Sequence, residues 1–264
     1  MNTIKGIPMR DLPDVLISRG RYSASAIEIG ELTGLSAAAV ASGLQRLRQG
    51  RRVFSPARGL YVVIPPEYRS WGVTPAEWFI DDLMRHLGRR YYVALLSAAA
   101  HHGASHQAPQ VFQVMADARV LNRTIERVRL RFYDSEHLAD TPTNIVTVHT
   151  GQMLVSSREA TIVDLIREPR ASGGLNNIAT ILREIGRLDG SKLATLAARH
   201  GRTLARRTGW MTEQYGRCTD LAPLQLAARL ELGEPALLSA SGPRRGRTDR
   251  DWALRINTTV EPDL

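Results

Sequence analysis

Cysteine is almost absent from this chain, since Cys218 is the only one in 264 residues. No disulfide framework and no thiolate metal cluster can therefore organise the fold, and a reducing compartment is expected. Lysine is nearly as scarce. Only Lys5 and Lys192 occur among 35 Lys and Arg residues, so the net charge of +9 is carried by arginine. Guanidinium groups suit bidentate contacts to phosphates and base edges, although a GC-rich coding sequence would give the same bias. No apolar run reaches the length of a bilayer-spanning helix, and Arg10, Asp11 and Asp14 interrupt any leader-like stretch. The expectation is a soluble cytoplasmic protein with no membrane partner. One further absence has a definite position: no acid lies between Glu31 and Glu67, whereas Arg46, Arg48, Arg51, Arg52 and Arg58 all fall there. An anionic partner, nucleic acid foremost, would meet an unopposed positive surface in that segment.

What is present around that gap reads as a helix-turn-helix followed by a basic hairpin. Ser25-Ala-Ile-Glu28 is a capping box that opens a helix, Gly34 supplies the left-handed turn that ends it, and Ser36 caps the next helix. Val40, Leu44 and Leu47 then fall at i, i+4 and i+7, an apolar face for packing. The opposite stripe carries Ala38, Ser42, Gln45 and Gln49 with Arg46 on its flank, small or hydrogen-bonding groups able to approach base edges. Past Gly50 and Arg51-Arg52, two β-rich runs, Val53-Phe54 and Leu60–Ile64, enclose a turn through Ser55–Gly59. With a first helix over Pro8–Arg19, these parts predict a winged helix-turn-helix domain that reads duplex DNA. A winged helix that docks protein instead is the competing reading of the same outline.

The 43% hydrophobic content allows one large or two modest domains. Pro65-Pro66 marks the expected boundary, giving a winged-helix domain over 1–66 and a larger mixed α/β domain over 67–264, hence an α+β chain. In the second part, Thr74-Pro75-Ala76-Glu77 and Ser156-Ser157-Arg158-Glu159 read as capping boxes, and Tyr91–His102 as a helix of small residues. Strands are predicted at Val111–Met115, Val128–Tyr133 and Ile145–His149. Helices are predicted at about 175–186, 191–200, 202–216 and 222–232, with a final strand over Trp252–Asn257. Ser239–Arg250 reads as an exposed loop. Two arginine groups, Arg119, Arg123, Arg127, Arg129 and Arg131, and Arg199, Arg202, Arg206 and Arg207, are either solvated faces or an extended nucleic-acid surface.

Candidates for catalysis are weak. His101, His102 and His106 lack a nearby acid or cysteine to complete a metal site, and Gly103 interrupts the one pair at i, i+4. Ser241-Gly242 followed by Asp249 and Asp251 is a nucleotidyltransferase-like outline, but the serine precedes the glycine. A later third carboxylate is also missing, because only about a dozen residues follow Asp251 and their acids, Glu261 and Asp263, lie at the very end. Asp189-Gly190-Ser191 has the Gly-Ser order without the acidic pair. Cys218 has no histidine near it in sequence, and no G-x-S-x-G elbow occurs. No cofactor or metal is expected, and a nucleotidyltransferase-like enzyme using Asp249 and Asp251 stands as the alternative to a non-enzymatic regulator.

With these elements in order, the chain resembles the AbiEi-like antitoxins of type IV toxin–antitoxin systems. The matching segments are the helix-turn-helix with Gly34, RLRQGRR (Arg46–Arg52), RGLY (Arg58–Tyr61), YYVALLSAAAHHG (Tyr91–Gly103) and VSSREATIVDLI (Val155–Ile166). The resemblance spans most of the chain and is weakest over the last 40 or so residues. It implies an autorepressor that binds inverted repeats upstream of its own operon, as a dimer or cooperatively. It also implies that the C-terminal domain counters a nucleotidyltransferase-like toxin without a stable complex. Carried over residue by residue, the DNA-contact positions are Ser36, Ser42, Gln45, Arg46, Arg51, Arg52 and Arg58. Gln45 and Arg46 are expected to read bases, Arg51 and Arg52 to hold phosphates, and Arg58 to reach the minor groove.

Overall fold

The computed structural model describes residues 6–104, 109–229 and 234–262. Helix α1 (Leu12–Ser18) is shorter than the predicted Pro8–Arg19 because residues 9–11 form turns, and it buries Leu12 and Leu16. A short strand, β1 (Ser23–Ser25), runs straight into α2 (Ala26–Thr33). The predicted capping box is formed there: the Ser25 hydroxyl accepts from the Glu28 amide, and the Glu28 carboxylate accepts from the Ser25 amide at 2.8 Å. Gly34 ends α2 at φ 72°, a left-handed conformation that costs glycine little, and the Ser36 hydroxyl caps α3 (Ala37–Gln49). Strands β2 (Val53–Ala57) and β3 (Leu60–Val63) form an antiparallel hairpin turning at Arg58-Gly59, with β1 on the free edge of β3. Val40, Leu44 and Leu47 are buried as their spacing predicts, in a core with Leu12, Leu16, Ile29, Leu32, Val53 and Val63.

Two predictions fail in the next stretch. Thr74 does not cap a helix; it is fully buried with its hydroxyl unpartnered, Pro75 stays extended, and a single 3-10 turn, Ala76–Trp78, precedes α4 (Ile80–His86). Nor is Tyr91–His102 one helix. Tyr91, Tyr92 and Val93, aromatic and β-branched, form the buried strand β4 (Tyr91–Val93), and only Leu95–His101 is helical, as α5.

Strands β5 (Phe112–Ala116), β6 (Arg123–Ile125), β7 (Val128–Asp134), β8 (Thr143–Val148) and β9 (Gly151–Ser156) complete a six-stranded mixed sheet in the order β6-β7-β5-β4-β9-β8. The predicted strands correspond to β5, β7 and β8. Helix α6 (Arg158–Arg167) is capped one residue later than predicted, by Ser157. The Ser156 hydroxyl bonds Thr161 instead, and the Glu159 carboxylate accepts from the Asp189 amide. Then follow α7 (Gly174–Glu184), β10 (Arg187–Leu188), α8 (Gly190–Arg199), α9 (Arg202–Tyr215), β11 (Arg217–Cys218) and α10 (Ala222–Arg229), close to the predicted helices; residues 230–232 of the last prediction lie outside the described residues. A small sheet of β12 (Ala236–Leu237), β13 (Arg247–Asp249) and β14 (Leu254–Ile256) closes the fold, so the predicted final strand is shorter and excludes Trp252.

The large sheet lies between two cores. Its face bearing Val93, Val114, Leu130 and Val155 packs on α4 and on Phe54, Leu60, Val62 and Ile64 of the N-terminal hairpin. The opposite face, with Tyr92 and Met115, packs on the C-terminal helices. The hairpin thus serves two cores at once: Val53 and Val63 point to the first, and the alternate residues to the sheet.

Candidate nucleic-acid interface

Because Val40, Gly43, Leu44 and Leu47 face inward, α3 turns Ala38, Ala41, Ser42, Gln45, Arg46 and Gln49 outward, and all six are exposed. The side chains of Ser42, Gln45, Arg46 and Arg58 have no hydrogen-bond or ion-pair partner among the described residues. They are presented rather than used. Ser36 differs, since its hydroxyl accepts from the Ala39 amide at 3.4 Å and so holds the first turn of α3. Arg58 stands exposed at the hairpin tip, where Gly59 adopts φ 83° and the Arg58 carbonyl bonds His86 Nε2 at 2.9 Å. The tip is therefore fixed to α4 rather than free to sweep.

Arg51 and Arg52 diverge. Arg51 leaves α3 at φ 50° and donates to the Ser70 carbonyl at 3.3 Å, remaining exposed. Arg52 is half-buried, with one terminal nitrogen on Asp14 at 2.8 Å. It ties the hairpin to α1, and a phosphate would have to compete with that carboxylate.

Sequence reasoning missed what lies beside this surface. Residues 66–72 fold back past Arg51, and the guanidinium of Arg127 lies over the Trp71 ring at 4.4 Å from its centroid. A cavity of about 390 Å³ opens between the C-terminal end of α3 and the β6–β7 turn, lined among others by Gln45, Arg48, Arg51, Ile125 and Glu126. A second, of about 710 Å³, lies between α4 and the β8–β9 hairpin, where Glu77, Asp81 and Asp82 make it unsuited to phosphate.

The catalytic alternatives find little support in the geometry. Asp249 accepts from the backbone amides of Asp251 and Trp252 at 3.1 and 3.2 Å, an Asx turn, and Asp251 pairs with Arg229 at 3.7 Å. Asp263 and His106 lie outside the described residues. His102 bonds the Ser156 carbonyl at 2.8 Å, and burial pushes its pKa down. Among the described residues no three His, Cys, Asp or Glu side chains are grouped to hold a metal ion. Cys218 is half-buried and its thiol pKa is pushed up by burial, the opposite of nucleophile activation.

A buried polar chain also went unforeseen. Tyr92 donates to Asp164 at 3.0 Å, Arg167 stands 3.4 Å from the other carboxylate oxygen, and the same guanidinium lies 3.4 Å from a ring nitrogen of His200. Burial drives the Asp164 carboxyl up to about 6, and burial, with Arg167 next, drives His200 down to about 4. These groups sit behind the sheet, away from α3.

No helix among the described residues is long and apolar enough to cross a membrane. No curated protein sequence matches the chain. Its fold is similar to the crystal structure of the RV2827C protein from Mycobacterium tuberculosis, with a TM-score of 0.67 at 14% identity, over 94% of this chain and 91% of that one. An antigenic nucleotidyltransferase-like protein from Paracoccidioides brasiliensis aligns at a TM-score of only 0.31 and 8% identity, over 56% of this chain and 94% of that one, which is too low to carry a fold argument. Residues 92–214, from β4 almost to the end of α9, match the sequence profile of the AbiEi antitoxin C-terminal domain.

Proposed function

We propose that the chain is a non-enzymatic, operon-regulating DNA-binding antitoxin of a type IV toxin–antitoxin system, acting in the cytoplasm. Residues 1–66 form its winged helix-turn-helix reader, and residues 67–264 form the part that counters a nucleotidyltransferase-like toxin. The observation that carries the DNA reading is the outward stripe of α3, where Ser42, Gln45 and Arg46 stand exposed and unpartnered among the described residues, with no acid in the sequence from Leu32 to Pro66. In this reading α3 enters the major groove, where glutamine can pair with adenine and arginine with guanine. Arg51 holds a phosphate at the groove edge and Arg58 reaches the minor groove beside it. Ser36 contributes through the helix start it caps. Arg52 contributes less directly because Asp14 already holds it.

The test is a set of gel shifts on the DNA immediately upstream of the chain's own gene. Arg46→Ala is expected to lose about 1–3 kcal/mol of affinity and to relax sequence preference, whereas Arg58→Ala lowers affinity with less change in preference. Undiminished binding by both variants would overturn the groove assignment. The antitoxin arm is tested separately by co-expression with a neighbouring nucleotidyltransferase-like reading frame, where rescue of growth is the expected outcome.

A further inference from the structure

We propose that the cavity between the end of α6, the start of α7 and residues 238–241 is a binding site for a small amphiphilic anion, an apolar body carrying one phosphate or carboxylate group. The inference stands apart from the DNA reading above and assigns the C-terminal helices a ligand of their own.

The cavity holds about 420 Å³, within the roughly 300–1,000 Å³ of small-molecule sites. Ile166, Pro169, Leu175, Leu238 and Ala240 form its apolar wall. Ile166 and Leu238 belong to the core behind it, so this wall is the outer face of the packed interior.

Three guanidinium groups and one carboxylate complete the lining, and their pairing is uneven. Arg167 is matched by Asp164 at 3.4 Å and by Glu168, the one acid of the lining, at 3.9 Å. Arg170 is exposed and has no hydrogen-bond or ion-pair partner among the described residues. Arg207, on α9, is half-buried; its Nε donates to the Leu237 carbonyl at 2.9 Å, and no carboxylate among the described residues meets it. Arg206, one residue earlier, donates instead to the Ala228 and Glu234 carbonyls, which separates two arginines that the sequence groups together. Burial pushes the Arg207 pKa down with no anion to offset it, so a ligand anion would relieve that cost. Two unmatched cations beside an apolar wall call for a molecule with a charged end and an apolar body.

The remaining groups suit the charged end. The Ser239 and Ser241 hydroxyls stand 3.5 Å apart on the lining. Helix α7 begins at Gly173 without a side-chain cap, which leaves the positive end of the helix beside Gly174 and Leu175 of the lining. Both walls are fixed. The buried Asn257 side chain accepts from the Ser239 amide at 2.9 Å and donates to the Ser239 and Pro243 carbonyls at 2.9 and 2.8 Å. Across the cavity, Asn177 donates to the Ser172 carbonyl and the Ser172 hydroxyl to the Glu168 carbonyl, each at 2.8 Å. A cavity held in shape this way loses little freedom when it is filled.

The experiment is calorimetric titration of the full chain with 1-naphthyl phosphate and 1-naphthoate, against inorganic phosphate and neutral 1-naphthol. One or both naphthyl anions are expected to bind once per chain, about tenfold or more tighter than inorganic phosphate or naphthol, and the better of the two identifies the charged group. Arg207→Gln should weaken that binding about tenfold or more, with Arg207→Lys recovering part of it, and Arg170→Ala should weaken it less. Because Arg207 also holds the Leu237 carbonyl, Arg170→Ala and Ala240→Trp, both at exposed positions, test the site without breaking that tie. Ala240→Trp should abolish binding by filling the cavity, whereas Arg187→Ala, which removes an exposed charge elsewhere, should leave it unchanged. Failure of both naphthyl anions to bind overturns the proposal. So does inorganic phosphate or naphthol binding as tightly as they do, or Ala240→Trp and Arg170→Ala binding as the wild type does. Several equivalent sites per chain, weakened as much by Arg187→Ala as by Arg170→Ala, would also overturn it in favour of diffuse charge attraction.

Discussion

Asp164 and His200 sit on either side of one guanidinium, and their titrations oppose each other. Burial raises the Asp164 carboxyl from 3.8 to about 6, so between these values the folded protein keeps a proton that the unfolded chain has lost. Stability must then fall as pH rises through that window, by roughly 3 kcal/mol at about 1.4 kcal/mol per pH unit. His200 goes from 6.5 down to about 4, so the unfolded chain holds the extra proton, and its contribution is lost as pH falls through the same window. The wild type is therefore expected to show a flatter pH profile than either single variant. Asp164→Asn should leave a chain whose stability rises with pH between about 4 and 6.5, and His200→Gln one whose stability falls, read as urea midpoints. An Asp164→Asn profile that still falls with pH would refute the assignment. Neither group was singled out from the sequence. Asp164 stands among the apolar residues of an otherwise ordinary amphipathic helix, and its partners Tyr92 and His200 arrive from distant segments.

Helix α9 carries a glycine at its centre, Gly209, where alanine would ordinarily stabilise by about 1 kcal/mol. Here the sign should invert. The fully buried Trp252 ring fills the place that a Cβ at Gly209 would take, and its indole nitrogen is pinned by Glu213 at 2.7 Å. Gly209→Ala is therefore expected to cost about 1–3 kcal/mol through overpacking, and to become neutral or stabilising once Trp252→Leu makes room. Thermal melts of the four chains of this cycle decide it. The same contrast explains which elements the sequence revealed. The Ser25–Glu28 box, the Gly34 turn and the outward stripe of α3 were legible because each depends on residues within a turn or two of one another. Thr74 and Ser156 carry the same local pattern, yet Thr74 is swallowed by a core and Ser156 bonds Thr161, choices made by distant packing. Strand β4 was hidden in YYVALLSAAAHH because burial on both faces removes the alternation that marks a strand. In the candidate interface, the α3 positions followed from helical spacing, whereas the stack of Arg127 on Trp71 joins two loops that no periodicity connects.

At the scale of the molecule, the N-terminal helices and hairpin share a hydrophobic core with the domain built on the large sheet. Phe54, Leu60, Val62 and Ile64 leave the three-helix core and bury themselves with Phe79, Val93, Val114 and Met153, with Phe54 meeting Phe79 edge to face at 5.2 Å. Polar ties follow the same seam: Ser23 donates to Asp82 at 2.6 Å, and Tyr22 meets His149 at 3.0 Å. A domain that exposes four large apolar side chains when cut free has little margin at this size. Residues 1–66 alone are thus expected not to fold stably. The full chain should unfold in a single transition, with far-UV ellipticity and tryptophan fluorescence coinciding, because Trp71 and Trp78 report the seam while Trp210 and Trp252 report the C-terminal helices. Phe54→Ala, worth about 3–5 kcal/mol at a fully packed site, should lower that one transition rather than split it. Two separated transitions, or a cooperatively folded 1–66 fragment, would show instead that the N-terminal part is an independent module, and a ligand bound on the outward stripe of α3 would then have no packed route to the large sheet.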